Sequence, residues 1–259
     1  MTYVFNIPCR GSTRLEHVVK KVKNDVKLQT FWKCSNVMAI DRLGYTDHGP
    51  THMKIVANSA LRLLRILVER KVLPSIVEHY GMQNEDAEVV VVLASLFHDL
   101  GMIVTREGHE QYSALLAPEF IEAYLQPIYS EEERAVICSE VLHAIVSHEP
   151  LNKPLTIEAG VVRVADALDM EQGRARIPFE AGKVDIHAVS ALSIKKVEIG
   201  EGEKKPIAIK ITMSNSAGIF QIDELLKNRI ENSGLQNYIR VVAEITGKKE
   251  TTIIKKFEI

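Results

Sequence analysis

The stretch EDAEVVVVLASLFHDLG, residues 85–101, decides the fold. Val89, Val90, Val91 and Val92 are β-branched and would suit a buried strand. Residues 85–98 nevertheless run without Gly or Pro, and that length favours a helix. The run ends in two adjacent metal-binding side chains, His98 and Asp99. His52 lies 46 residues before His98, and Ala165-Asp166-Ala167-Leu168-Asp169 follows downstream. Imidazoles and carboxylates suit first-row divalent metals, and a His/Asp set without Cys fits a catalytic rather than a structural site.

Helical periodicity extends outward on both sides. Leu15, Val18, Val19, Val22, Val26 and Leu28 recur at three-to-four spacing and predict helix from about 13 to 40. A second helix is expected over 52–71, capped by Thr51 or a neighbour and stopped at Leu73-Pro74. On it His52, Val56, Ser59 and Leu63 share one face, which turns His52 toward the core. Further helices are predicted at 109–125, 131–148 and 156–172, with stops at Pro127, Pro150 and Gly173. After about residue 182 the pattern changes. Strands are expected at 195–199, 207–211, 241–245 and 252–257, with a helix at 221–232. The fold class is therefore mainly α over 1–182, followed by a small C-terminal α+β unit (β-β-α-β-β) over 183–259. The boundary is expected between Pro178 and His187.

Composition narrows the function. With 259 residues, 46% hydrophobic content and a net charge of −2, the chain has a real core and no strong nucleic-acid signal. Cys9, Cys34 and Cys138 form no C-x-x-C pair, a pattern that fits a reducing cytosol. No secretory signal is seen at the N-terminus, and the most apolar run, 89–97, is too short to span a bilayer. A cytoplasmic protein with no membrane partner is expected.

Seven of the nine histidines fall between positions 48 and 148, a density that argues for a site over scattered core residues. His52-Met53-Lys54-Ile55-Val56-Ala57, His98-Asp99-Leu100-Gly101 and Val164-Ala165-Asp166-Ala167-Leu168-Asp169 occur in that order. In this the sequence resembles the HD-domain superfamily of metal-dependent phosphohydrolases, over roughly residues 40–175. The resemblance implies an HD-type helical bundle in which His52, His98, Asp99 and Asp166 hold one divalent metal ion. His109-Glu110-Gln111-Tyr112-Ser113-Ala114 and Ala144-Ile145-Val146-Ser147-His148-Glu149 are similar to segments that supply a second ion's ligands. His148 is preferred there. His143, about 140° away on an ideal helix, is the alternative, or else packs in the core or orients substrate.

One or two ions are implied, of Mn, Mg, Fe, Ni, Co or Zn, with Asp99 as the bridge if there are two. A metal-activated water would then cleave a phosphomonoester or phosphodiester of a small nucleotide-like substrate, with Asp99 and His98 central to catalysis. No G-x-S-x-G elbow or Walker loop offers another route. Lys54 and Arg174 are the favoured substrate-binding cations. Met102 and Glu149-Pro150-Leu151-Asn152 depart from the HD-GYP branch and count against cyclic-di-GMP cleavage. Two other readings stand beside hydrolysis: a di-iron oxygenase on the same fold, and a silent nucleotide-sensing module. The C-terminal unit reads as a homodimerisation element, a sensor, or a lid that only stabilises the bundle.

Overall fold

In the computed structural model, helix α1 (Thr13–Asn24) starts where the Ser12 side chain accepts the Leu15 N–H, and it buries Leu15, Val18, Val19 and Val22. The structure describes residues 5–149, 151–171, 190–246 and 256–258. Pro150, Gly173, Arg174, the expected boundary between Pro178 and His187, and 252–255 of the expected last strand lie outside them. The single helix expected from 13 to 40 is broken at Asp25. One Asp25 carboxylate oxygen accepts the Leu28 N–H at 2.9 Å and caps α2 (Val26–Asn36). Its other oxygen accepts the Tyr124 hydroxyl at 2.6 Å. The periodicity is helical on both sides, but Asp25 is satisfied as a cap and not as an interior residue. A π-helical turn, Val37–Arg42, closes this arm.

Helix α3 (Pro50–Glu69) begins two residues earlier than expected, with Gly49 as its N-cap and Pro50 in the first turn where an N–H is not needed. A short helix that periodicity did not anticipate, α4 (Ser75–Tyr80), follows Pro74. Its cap comes from far away: the Glu158 carboxylate accepts the Ser75 and Ile76 N–H groups at 3.1 and 3.0 Å. Helix α5 (Asn84–Phe97) is the axis of the domain, with every residue from Val89 to Phe97 buried. A helix buried on all sides carries apolar residues all round, which is why its valines gave no clear period. Helices α6 (His109–Leu125), α7 (Glu131–Ser147) and α8 (Ile157–Ala167), together with α3, pack around it. Helix α8 ends at Ala167, short of the expected 172, because Asp169 leaves the helical path and its carboxylate meets His52.

One buried charge ties two helices and the turn before a third together. Asp86, at the start of α5, accepts from Arg14 at 2.6 and 2.7 Å, from the Tyr129 hydroxyl at 2.7 Å and from the Gln83 N–H at 2.8 Å. Asp86→Asn keeps the shape but removes the charge that strengthens these bonds. It is expected to cost about 2 kcal/mol, read as a lower urea midpoint at unchanged slope.

The C-terminal unit is a four-stranded sheet in the order β1-β2-β3-β4, made by Ile194–Glu201, Ile207–Met213, Ile239–Ile245 and Lys256–Glu258. Strands β1 and β2 form an antiparallel hairpin whose turn is closed by the Gly202 N–H donating to the Pro206 carbonyl at 2.9 Å. Strands β2 and β3 are parallel, so the chain must cross over between them. The crossover carries π-helical turns, Gln221–Lys227, and a short helix α9 (Asn228–Glu231). Ile222, Leu226 and Ile230 on it are buried, as are Ile207, Ile209 and Ile211 of β2 and Val241 of β3. Helix α8 meets this unit at Gly160, where an added Cβ would collide with the Ser233 carbonyl oxygen. No helix among the described residues is long and apolar enough to cross a membrane.

Candidate metal centre

Four imidazoles and two carboxylates converge where α3, α5, α6, α7 and α8 meet. His52 comes from the first turn of α3, His98 caps the end of α5, and Asp99 opens the 3-10 turn Leu100–Ile103. His109 starts α6, His148 caps α7, and Asp166 lies in the last turn of α8. Helix ends deliver most of these side chains, because a chain leaving or entering a helix can aim a side chain inward without losing a core position.

The donor atoms face one another in two groups. His52 Nε2 stands 3.2 Å from His98 Nε2 and 3.3 Å from both Asp99 Oδ2 and Asp166 Oδ1. His98 Nε2 is 3.3 Å from Asp99 Oδ2 and 3.7 Å from Asp166 Oδ1. On the other side of the same carboxylate, Asp99 Oδ1 lies 3.0 Å from His109 Nε2 and 3.8 Å from His148 Nε2, and the two imidazoles are 3.3 Å apart. Donors held at about 2.1 Å from one ion stand roughly 3.0–3.4 Å apart, a spacing that these pairs match except His98–Asp166 at 3.7 Å and His148–Asp99 at 3.8 Å. Ligand atoms of His52, His98 and Asp166, and of His98, Asp99 and His148, also fall within 4.8 Å of one another.

Every imidazole is oriented from behind. His52 Nδ1 meets Asp169 Oδ2 at 2.6 Å, His98 Nδ1 meets the Ser95 carbonyl at 2.8 Å, and His148 Nδ1 meets the Ile145 carbonyl at 2.6 Å. His109 Nδ1 has the Arg106 carbonyl at 3.0 Å and Glu110 Oε2 at 3.1 Å. An imidazole that donates from Nδ1 presents its Nε2 lone pair inward, as a ligand must. Ser113 fixes the His-Asp turn itself: its hydroxyl donates to the His98 carbonyl and accepts the Gly101 N–H, both at 2.7 Å.

Electrostatics show a centre built around positive charge. Burial alone would lower the His98 imidazole, but Asp99 and Asp166 outweigh it and push it up to about 9. Burial and the neighbouring His98 charge pull His148 down to about 3. Burial opposes ionisation of Asp99 and Asp166 as well, yet the surrounding imidazoles hold both well below the usual carboxylate range. Inward-facing imidazole nitrogens can share only one proton per pair. Two ionised carboxylates beside four such nitrogens are a donor set that fits divalent metal ions.

The HD-domain family model matches residues 51–171. An uncharacterized protein of Methanocaldococcus jannaschii, MJ1020, is 48% identical over 228 residues, covering 88% of this chain and 88% of that protein. The chain belongs to the HD-domain superfamily. HD domains are metal-dependent and bind divalent ions, and the His/Asp cluster lies within the matched region.

Of the residues singled out in the sequence, this HD domain brings His52, His98, Asp99, His109, His148 and Asp166 together. His143 points elsewhere: its Nε2 accepts the Leu155 N–H at 3.0 Å. Lys54 is half-buried on α3 and is not among the residues that line the cavity over the cluster. That cavity, of about 320 Å³, is lined among others by Tyr45, His48, Arg106, Met170 and Arg229. Sequence reasoning assigned no role to Asp169, Glu110, Arg106 or Arg229. The first three sit within three residues of a ligand, so the signal was there. Arg229 had none, since it lies 63 residues beyond Asp166 in another unit.

Proposed function

We propose that this HD protein is a two-metal phosphohydrolase that cleaves a phosphomonoester or phosphodiester of a small, nucleotide-like substrate. One ion is assigned to His52, His98 and Asp166, a second to His109 and His148, and Asp99 to both. The observation that carries this reading is the division of Asp99, with Oδ2 toward the first group and Oδ1 toward the second. A bound divalent ion supplies Lewis acidity toward a phosphoryl oxygen and lowers the pKa of a coordinated water. The protein's own contribution is orientation and exclusion. Asp169 and the Ser95, Arg106 and Ile145 carbonyls fix the four imidazoles, all of them buried. Arg106, with Nη1 2.9 Å from His109 Nδ1, places a cation at the cavity wall beside the second group.

The deciding experiment is a panel of phosphomonoesters and phosphodiesters with Mn²⁺, Mg²⁺, Ni²⁺ and Co²⁺, run beside metal analysis of protein purified without oxygen. Metal-dependent turnover of a phosphoester is expected. An iron-only, redox-active site without hydrolysis would replace this reading by an oxygenase, and tight nucleotide binding without turnover by a sensing module. His109→Ala and His148→Ala are each expected to lose one metal equivalent per chain and to retain the other. Loss of all metal in either variant contradicts the division of ligands.

A further inference from the structure

Gln221, Leu225 and Arg229 all line the cavity above the cluster. They recur every four residues along the helical crossover of the C-terminal unit and so form one stripe. The adjoining stripe of Ile222, Leu226 and Ile230 is buried and anchors the segment in its own core. The segment is thus fixed on one side and faces the site on the other. Its first turns are π-helical, a geometry frequent at functional sites.

Arg229 reaches two of the ligand residues. Its Nη1 donates to the His148 carbonyl, and its Nη2 lies 4.0 Å from Asp166 Oδ2, beyond hydrogen-bond range. A guanidinium carries five N–H donors in a fork that matches phosphoryl oxygens. The buried Arg163 guanidinium is pushed down by burial and then by the positive charge of Arg229, against the opposing charge of Glu149. Leu225 is 42% exposed and, with Met170 and Ala191, gives the cavity an apolar wall.

Resting on the phosphohydrolase reading, we infer that the C-terminal unit is the substrate-recognition element: Arg229 binds the phosphoryl oxygens and Leu225 packs against the substrate's nonpolar part. The sheet is then neither a separate sensor nor a mere support, because its crossover supplies one wall of the site.

Titration calorimetry of inorganic phosphate into the full-length Mn²⁺-loaded protein tests the Arg229 half. Arg229→Gln is expected to weaken phosphate binding about tenfold to a hundredfold, as for loss of a charge-assisted hydrogen bond, with metal content unchanged. Arg229→Lys, which keeps the charge but not the fork, is expected to fall between. Failure of the unaltered protein to bind phosphate overturns the proposal. So does unchanged affinity in Arg229→Gln, or loss of metal in both variants, which would make Arg229 only a support for the end of α7. If Arg229→Gln does not fold, an Arg229→Lys affinity equal to the parent's overturns it.

Leu225→Ala is expected to leave phosphate affinity unchanged. It should raise KM for 4-nitrophenyl phosphate or its bis ester, whichever is turned over, by about threefold to tenfold. An unchanged KM removes the apolar contact. The two readings separate cleanly: Arg229-dependent phosphate binding without hydrolysis of any ester defeats the phosphohydrolase reading and keeps the anion site.

Discussion

Asp99→Asn is expected to reduce metal-dependent turnover by at least about 10³-fold, since several kcal/mol of charge stabilisation depend on the bound ions. The substitution preserves volume and one carbonyl oxygen. What it removes is the anion shared by the two imidazole groups, with Oδ2 3.3 Å from His52 and His98 and Oδ1 3.0 Å from His109. An amide can turn its oxygen toward only one group, and it then directs N–H donors at the lone pairs of the other. Metal analysis should find at most one weakly held ion per chain. Helical circular dichroism should be unchanged, because Asp99 sits in a turn beyond α5 and its side chain makes no capping hydrogen bond. His98→Ala should behave alike. Near-normal turnover in either variant contradicts the proposed centre.

Gly101→Ala is expected to be among the most damaging single-methyl changes in the chain. A Cβ at this position would collide with the His109 carbonyl oxygen, and would lie 2.7 Å from the Ser113 nitrogen and 2.8 Å from Tyr112 Cβ. Two of those three atoms are backbone, so no side-chain rotation relieves the overlap. Helix α6 must move away from the His-Asp turn, and it takes with it His109 and the Ser113 hydroxyl that bridges His98 and Gly101. We expect a loss of about 3 kcal/mol of stability, at the upper end for overpacking. One metal equivalent should be lost with it, because His109 withdraws from Asp99. Wild-type metal content together with wild-type stability would show that α6 is not wedged against this turn.

The helical bundle was legible because its signals are local. Leu15, Val18, Val19 and Val22 mark the buried face of α1, the Ser130–Glu133 capping box opens α7, and the His-Asp step ends α5 where the sequence reading put it. The order of strands and helix in the C-terminal unit was legible too, from alternation and turn residues. What escaped depends on partners distant in sequence. Helix α4 is six residues long and owes its cap to Glu158, so no local pattern announces it. The break at Asp25 is reinforced by Tyr124, 99 residues away. In the site, the ligand set was legible because the segments around His52, His98-Asp99 and Asp166 resemble, in that order, those of the HD-domain superfamily. Arg229 faces the cavity only because a parallel crossover carries it there, a topology that the strand pattern does not specify.

The contact between Gly160 and Ser233 has a consequence for how a substrate gets in. Helix α8 and the C-terminal turn meet so closely at Gly160 that the Ser233 carbonyl leaves no room for a Cβ and the Leu235 side chain packs beside it, which leaves little slack for a hinge or shear motion. The jaw that bears Arg229 is therefore stiff, and the cavity should have nearly the same shape before and after loading. Selection in such a pocket works by fit to walls already in place, those of Tyr45 and Thr46 among them, and not by closure around whatever has entered. A preorganised pocket of this kind favours a narrow range of ligand sizes and loses little entropy on binding the one that fits.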